Sequence, residues 1–524
     1  MSKIYLHLLL LQIICTIGQA ATVDSLVYFS DLNFRDQLER EVFCNLKKAH
    51  YEDEMLSLLL YIKPYEDSIP IAHSEKLLNN FIEQHFSQIN NIDEEARVKL
   101  IVGLVNKTFL KKHKTNSYFQ ETIATGAYNC YTSAALYSIL LSKLNIPYQI
   151  KENINGISLI TYPTEKKIPI TIETPEKKCV EYTAHFRNTW TKSMFYVKII
   201  PMAEFEKGYS EALFEKYYFK NLTLSLPQLA SILFCNLSIQ ASDESNVQEA
   251  VYHMQKSYFL DANERNQATL KYHIFNALGK YNYENNNDFD KLIYLCRYRK
   301  IKDIETSSDL ISSEFLRFVT QQIKLKIGLP EIEKQYLTMM NNSNDSLLLR
   351  ALTYAYNNKI AEAIINLKTY EVDAFNYLHN AYKVKPDDQT LKSLIFASLN
   401  EKINKTKDAA IVLKIVNEYC SKFDFLDVSI STKTIKINCY LNFASNNFMN
   451  GLPLEGEENL KKSEQLCTQY GIKPSFESAE NSYLSAAKYY YKKGDKLKAK
   501  EYLLKGFEYA PDSKLIQDKL KLVK

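Results

Sequence analysis

Residues 125–152 read TGAYNCYTSAALYSILLSKLNIPYQIKE, and this stretch decides the fold of the N-terminal half of the chain. Gly126 breaks the preceding structure, and Asn129 suits the N-cap of a helix that begins near Cys130. The residues NIP end that helix, and YQIKE is typical of a strand. Within the helix, small and apolar residues recur at three- and four-residue steps and predict burial along one side. These residues are Ala134, Tyr137, Ser138, Leu141 and Leu144.

Two amphipathic helices are predicted upstream of this stretch, and two strands downstream of it. The helices lie in SEKLLNNFIEQHFSQI and EEARVKLIVGLVNKTFLKKH, where apolar residues recur with the helical period. The strands are ISLITY (157–162) and IPITIE (168–173), and isoleucines alternate along the second. The apolar helix positions are Leu77, Phe81, Ile82 and Phe86 in the first helix and Val98, Ile101, Leu104 and Val105 in the second.

A cysteine in the first turn of a buried helix has the setting of a nucleophile. The helix dipole and the unpaired backbone N–H groups lower the pKa of a thiol there. The same N–H groups can hold an oxyanion during acyl transfer. In papain-like folds, two strands follow the cysteine helix, and they bring a general-base histidine and an acid that orients it. Cys130 is therefore the candidate nucleophile.

The block GAYNCYTSAALYSILLSKLNIPYQIKE, with GISLITYPTEKKIPITIETP after it, resembles bacterial transglutaminase-like proteins that carry C-terminal tetratricopeptide (TPR) repeats. The shared features are a G-x-x-N-C start, an A-x-L-Y helix, a G/N-I-P-Y strand entry and a strand that ends in Ile-Glu-Thr. The resemblance covers residues 75–215. It implies an α+β domain of the papain-like cysteine hydrolase superfamily.

The resemblance also assigns the members of a catalytic triad. In the family, the cysteine is the nucleophile, a histidine in a His-Val strand opening is the base, and an acid orients it. Cys130 matches the nucleophile and Glu173 matches the acid. Gly156 occupies the histidine position, and residues 114–184 contain no histidine. Because glycine cannot transfer a proton, and because losing one triad member costs orders of magnitude in rate, we interpret Cys130 and Glu173 as vestigial.

Two histidines outside that window are weaker candidates. His185, in EYTAHFRNTW, could approach Cys130 from elsewhere, but it follows the acid and so breaks the family order. His113, in KKHK, is interpreted as a solvated residue at a helix end.

Residues 480–513, ENSYLSAAKYYYKKGDKLKAKEYLLKGFEYAPDS, match the 34-residue tetratricopeptide pattern. Small residues at three fixed positions let two helices approach closely, and large residues at three others fill the space between repeats. Gly494 marks the turn and Pro511 the end. The second half recurs in AFNYLHNAYKVKPDD (374–388) and AVYHMQKSYFLDA (250–262). The small residues are Ala487, Ala499 and Gly506, and the large ones are Tyr483, Tyr490 and Leu503. A generic helical bundle is the alternative.

Composition agrees with a mostly helical chain. Among 524 residues, glycine (12) and proline (13) are scarce, which favours helices with short connections. The net charge of +4 gives no strong field for nucleic acid. The cysteines include no CxxC and no zinc spacing, so neither a metal nor a cofactor is predicted. Most cysteines lie in apolar helical windows, which favours buried thiols over disulfides. An exported protein could still oxidise a pair, and the sequence does not say which.

The first twenty residues have the features of a signal peptide. Lys3 precedes the apolar run IYLHLLLLQIICTIG, and Gly18 and Ala20 are the small residues before a cut. A membrane anchor is the alternative, but the run is shorter than the roughly 20 residues that a span needs. The predicted domains are 1–20 signal peptide, 21–73 N-terminal helical segment, 74–215 transglutaminase-like domain and 216–524 TPR-like repeat domain.

The sequence thus predicts an exported protein, periplasmic or extracellular, in which an α+β domain precedes an all-α repeat array. The first functional hypothesis is a pseudoenzyme whose TPR groove binds a protein or peptide partner in the cell envelope. The second is an active cysteine hydrolase or transglutaminase that acts through Cys130 on envelope protein or peptidoglycan peptide. A third is self-assembly through the repeats. Nucleic-acid binding is not predicted, and the sequence leaves the oligomeric state open.

Overall fold

The fold is given by a computed structural model, in which most of the chain is helical and a small sheet lies in its first half. This confirms the mostly helical class. The predicted signal peptide and Glu173 lie outside the described residues. The described ranges are 25–46, 51–62, 71–153, 156–170, 182–196, 199–208, 211–219, 222–284, 286–301 and 308–523.

Up to residue 219, the described chain contains nine α-helices and five short strands. After a 3₁₀ turn at Phe29–Asp31, the elements are α1 (Gln37–Asn45), α2 (Tyr51–Tyr61), α3 (Ile71–Asn90), α4 (Glu94–Thr108), β1 (Lys112–His113), α5 (Phe119–Thr125), β2 (Ala127–Tyr128), α6 (Cys130–Lys143), β3 (Tyr148–Asn153), β4 (Gly156–Thr161), β5 (Ile168–Ile170), α7 (Ala184–Tyr196), α8 (Met202–Phe205) and α9 (Glu211–Tyr218).

From residue 222 onward, a single two-residue strand precedes a long series of helices in the described chain. The elements are β6 (Thr223–Leu224), α10 (Leu226–Asp243), α11 (Val247–Leu260), α12 (Glu264–Leu278), α13 (Asn286–Ile301), α14 (Ser308–Lys324), α15 (Leu329–Asn341), α16 (Ser346–Ile365), α17 (Phe375–Val384), α18 (Gln389–Asn404), α19 (Ala409–Lys422), α20 (Asp424–Val428), α21 (Ile430–Met449), α22 (Pro453–Tyr470), α23 (Phe476–Lys492), α24 (Lys496–Tyr509) and α25 (Lys514–Leu522).

Four strands form an antiparallel sheet in the order β5-β4-β3-β6. Ile150 of β3 pairs with Leu159 of β4, which pairs with Ile170 of β5, and all three side chains are buried. Directly paired residues lie on the same face of a sheet, so these three form one apolar layer. The strands predicted after the cysteine helix are confirmed within the described ranges, whereas β6 is too short to show a sequence pattern.

The cysteine helix α6 is buried on every side. The predicted burial along one side is confirmed, because the predicted positions from Ala134 to Leu144 are all buried. The burial also extends to the rest of the helix from Cys130 to Leu141, because α2, α5 and α10 pack against α6 in addition to β3 and β4. A helix enclosed in this way loses the amphipathic pattern that marks a surface helix.

Helix α3 buries part of the predicted apolar face, in which Phe81 is buried and Leu77 and Ile82 are half-buried. Leu78, Phe81 and Ile89 are buried, and the Phe81 ring meets the Phe109 ring with centroids 5.2 Å apart. Phe86, which was predicted to be buried, is 50 % exposed. The placement of Phe86 on the buried face is wrong, because the buried face runs through Leu78, Phe81 and Ile89, and Phe86 points away from it.

Helices α23 and α24 form the helical hairpin predicted from residues 480–513. Gly494 occupies the turn with a φ of 85°. Gly506 lies against Tyr483 so closely that an added Cβ would be 2.7 Å from the Cβ of Tyr483. Ala487 and Ala499 are also buried. The predicted close approach of the two helices is therefore confirmed.

The chain divides into two compact units. The first contains the chain up to Glu314 together with Leu337–Leu348, and the second contains Phe315–Tyr336 and Leu349–Lys524. The first unit continues past residue 215 because β6 joins the sheet and α10 packs on α6. Within the described ranges, no helix combines the length and the apolar character needed to cross a bilayer.

Candidate functional site

The site is built on the connection between α5 and α6. Gly126 ends α5 with a φ of 80°, which side-chain-bearing residues rarely adopt. The Asn129 side chain then accepts a hydrogen bond from the Thr132 N–H at 3.0 Å, and the Thr132 hydroxyl accepts one from the Asn129 N–H at 3.0 Å. This reciprocal cap fixes Cys130 as the first residue of α6. The predicted N-cap is confirmed.

Cys130 has no access to solvent and no thiol. Its relative exposure is 0 %, and its sulfur is bonded in a disulfide. The attacking form of cysteine is the thiolate, so a disulfide sulfur cannot act as the nucleophile in acyl transfer. The expectation that cysteines here are buried thiols is wrong for Cys130. Six other cysteines of the described chain are outside disulfides, namely Cys44, Cys235, Cys296, Cys420, Cys439 and Cys467.

The space beside the helix start is small. A cavity lined by Asn116, Ser117, Tyr118 and Asn129 has a volume of about 20 Å³. A single water needs roughly 10–15 Å³ measured in this way. This cavity therefore has room for a water molecule and none for a peptide or an acyl chain.

Gly156, at the position where the resemblance expects a histidine, is the first residue of β4. It pairs with Asn153 of β3, is buried, and has a φ of 117°. This φ lies in a region that is open to glycine and strained for residues with a Cβ. The backbone at this position is therefore shaped for glycine.

The two histidine candidates lie on different elements, His185 on α7 and His113 on β1. His185 lies exposed on α7, and among the described residues it forms no hydrogen bond with a cysteine. Burial raises the pKa of the nearby Asp243 carboxyl group, although the hydrogen bond from Thr183 and the charge of His185 oppose this shift. Thr189 donates a hydrogen bond to the His185 carbonyl oxygen at 2.9 Å.

His113 is not at a helix end. Helix α4 ends at Thr108, and His113 lies in β1, which pairs in parallel with β2. The His113 ring meets the Tyr128 ring edge-on, with centroids 5.8 Å apart. The prediction of a solvated helix-end residue is wrong because the chain forms this short strand pair immediately before Cys130. Strands of two residues have no periodicity by which the sequence could reveal them.

A buried ionic cluster, which the sequence did not predict, lies in the same unit. Arg265 Nη1 of α12 donates to both carboxylate oxygens of Glu152 on β3, at 2.9 and 3.1 Å, and to the Tyr218 carbonyl oxygen at 3.3 Å. Burial lowers the pKa of Arg265, but the adjacent Glu152 carboxylate raises it by a larger amount. The pKa of Arg265 is therefore raised overall. Burial also raises the pKa of the nearby Cys235 thiol.

This cluster suits a structural role better than a catalytic one. A guanidinium held above its usual pKa does not exchange a proton during a reaction. The pair joins residues 113 positions apart in the chain and ties the sheet to α12. No periodic pattern connects two residues at such a separation, so sequence reasoning had no signal for it.

Comparison with known proteins gives neither a matching family nor a matching curated protein. Among the described residues, no group of three or more histidine, cysteine, aspartate or glutamate side chains is arranged to hold a metal ion.

Proposed function

We propose that this chain is an exported, non-catalytic transglutaminase-like protein whose helical repeats bind a protein or peptide partner. The observation that carries the proposal is the state of Cys130, which is enclosed and bonded in a disulfide at the position of the nucleophile. Gly156 adds support, because its positive φ disfavours a histidine at the position of the base.

The elements around Cys130 support the transglutaminase-like assignment. A capped helix begins with the cysteine, and the antiparallel strands β3, β4 and β5 follow it directly in the chain. This is the order that the resemblance implies. The helical hairpin of α23 and α24, with glycine and alanine at its closest approach, supports the repeat assignment.

The disulfide also supports export. Disulfides persist in the periplasm and outside the cell, whereas the cytosol keeps thiols reduced. A protein that bonds Cys130 in this way is suited to the compartment that the N-terminal apolar run predicts.

Alkylation of the native protein tests the non-catalytic assignment. The chain is purified without reductant, treated with iodoacetamide at neutral pH and mapped by mass spectrometry. Cys130 is expected to stay unlabelled until the protein is both unfolded and reduced, because the sulfur is buried and bonded. Rapid, selective labelling of native Cys130, lost in Cys130→Ala, would instead identify an active cysteine enzyme.

The binding assignment is supported by an apolar cavity in the second unit. It has a volume of about 390 Å³ and lies between α23, α24 and α25. Leu484, Leu515 and Leu522 line it, and Lys488 and Lys519 add positive charge. The volume falls in the range of roughly 300–1,000 Å³ that is typical of ligand sites.

Selection from a displayed library of random peptides tests this assignment. Peptides that bind the protein are expected to be lost with Leu515→Glu, which places a charge in the cavity. The matched control is Leu497→Glu, which changes a more exposed leucine that does not line the cavity. Equal enrichment of peptides with both variants would show that the peptides do not bind in this cavity.

A further inference from the structure

The first unit contains a second cavity, which is larger than the one beside the start of α6 and is not lined by Cys130 or Gly156. Its volume is about 420 Å³. The segment from Asn33 to Glu39, the end of α2, and the facing parts of α10 and α11 form its walls. The volume lies within the roughly 300–1,000 Å³ of small-molecule sites.

An enclosed ion pair lies in the wall of the cavity. Lys256 Nζ donates to Glu39 Oε1 at 2.6 Å, and the two side chains are 6 % and 3 % exposed. The other carboxylate oxygen of Glu39 accepts the Arg35 backbone N–H at 2.7 Å. The carboxylate of Glu39 is therefore held from both sides, and its position is fixed.

Lys256 retains hydrogen-bonding capacity beyond this pair. An ammonium group has three N–H donors, and the hydrogen bond to the Glu39 carboxylate uses one of them. The rings of Phe34 and Phe234 lie 6.0 and 5.9 Å from Nζ and contribute their faces only. Burial lowers the pKa of Lys256, although Glu39 opposes the shift. A second anion in the cavity would satisfy the remaining donors.

The cavity lining brings charges of both signs from different elements. Arg35, ahead of α1, supplies a guanidinium that lies 5.4 Å from the centre of the Tyr61 ring. Glu244, at the C-cap of α10, and Glu249, in the first turn of α11, supply carboxylates. A purely anionic ligand would meet these two carboxylates, and a purely cationic ligand would leave the Lys256 donors unsatisfied.

We propose that this cavity binds a zwitterionic ligand of the size of a short peptide with free ends. The ligand carboxylate lies at Lys256 and Arg35, and the ligand ammonium lies at Glu244 and Glu249. Apolar side chains of α10, such as Phe234, pack against the body of the ligand. The site lies entirely within the first unit and shares no lining residue with the cavity between α23, α24 and α25 on which the proposed partner binding rests, so either one can fail without the other.

Calorimetric titration of the full chain tests the proposal with peptides of defined ends. The probes are Ala-Ala-Ala and Ala-Phe-Ala, each free, N-acetylated and C-amidated. Saturable binding of at least one free peptide is expected, with a loss of about tenfold or more for each blocked form, because each block removes one charged contact. The absence of saturable binding by both free peptides overturns the proposal, and so does equal binding of free and blocked forms.

Two variants connect each end of the peptide to its partner. Arg35→Gln is expected to weaken the free peptide about tenfold and to leave the C-amidated form unchanged, because the amide has no carboxylate to lose. Glu249→Gln is expected to weaken the free peptide and to leave the N-acetylated form unchanged. Both residues are exposed, so the fold should tolerate the changes. Lys99→Gln, which removes an exposed charge that does not line the cavity, is the control. Uniform weakening of all peptide forms by either variant contradicts the assigned orientation.

Discussion

At the scale of single residues, His273 couples folding of the first unit to pH. It is buried in α12, and its Nε2 lies 3.1 Å from the Ser238 hydroxyl oxygen. Burial lowers its pKa from 6.5 to about 3. Between these two values the unfolded chain binds a proton that the folded chain does not, so stability falls as pH falls. His273 alone contributes a loss of about 1.4 kcal/mol per pH unit in that range.

The variant His273→Gln removes this titration and keeps a polar side chain beside Ser238. In urea unfolding, its free energy of unfolding is expected to fall less between about pH 7 and about pH 5 than that of the parent, by about 2 kcal/mol. His73→Gln, which removes an exposed histidine of α3, provides the matched control, and an equal effect of both variants would show that the change is not specific to His273. Identical acid profiles for the parent and His273→Gln would show that His273 is already protonated in the folded chain.

Features of the site that depend on contacts between residues close in sequence were predictable, and features that depend on contacts between distant residues were not. The start of α6 at Cys130 was predictable because Asn129 and Thr132 cap it within three residues. The disulfide of Cys130 was not predictable, because the sequence does not show which sulfur atoms folding brings together. The same holds for Glu152 and Arg265, which meet only when the sheet and α12 pack together.

At the scale of elements, two helical glycines differ in the space that surrounds them. Gly506 of α24 lies against Tyr483, where a Cβ would be 2.7 Å from the Tyr483 Cβ, whereas Gly103 of α4 has no heavy atom within 4 Å of such a Cβ. Gly506→Ala is therefore expected to destabilise the chain by about 1–3 kcal/mol through overpacking. Gly103→Ala should stabilise it by roughly 0.5–1 kcal/mol, because alanine favours helix. Thermal unfolding measures both, and a stabilising Gly506→Ala would contradict the close helix approach.

The ion pair between β3 and α12 provides a second test at this scale. Removing one charge leaves the other buried and unpaired, so Glu152→Gln is expected to cost about 3–5 kcal/mol. The exposed pair of Glu95 and Lys99 on α4 is the control, and Glu95→Gln should change stability by less than about 1 kcal/mol. Chemical denaturation of each variant gives the comparison. A cost for Glu152→Gln as small as the control would mean that water reaches the pair.

Element positions were predictable wherever one face of the chain meets solvent. The isoleucine alternation located β5, and apolar spacing located α3 and α4. The spacing was wrong for Phe86 of α3, which is exposed, and it did not show that α6 is also buried on its remaining sides. In both cases the deciding contacts come from neighbouring elements, and a local pattern does not include them.

At the scale of the whole molecule, domain boundaries follow packing rather than composition. The sequence places a boundary at residue 215, where strand patterns fade. The first compact unit nevertheless continues to Glu314, because Arg265 is paired with Glu152 and Trp190 donates to the Thr269 hydroxyl at 3.0 Å. Helices α10–α12 therefore depend on the part of the chain that precedes residue 215.

Two fragments test this dependence. Fragment 308–524 contains the whole second unit together with the segment Leu337–Leu348 of the first, so it is expected to be soluble and to unfold cooperatively. Fragment 216–524, cut at the sequence-predicted boundary, removes Glu152 and Trp190 and leaves the buried Arg265 without its carboxylate. It should aggregate on heating or show an additional transition at lower temperature, because an uncompensated buried charge and exposed apolar faces destabilise α10–α12. Calorimetry measures the unfolding transitions of both fragments, and light scattering measures their aggregation. A single cooperative transition for fragment 216–524, with no more aggregation than fragment 308–524, would place the boundary at residue 215 after all.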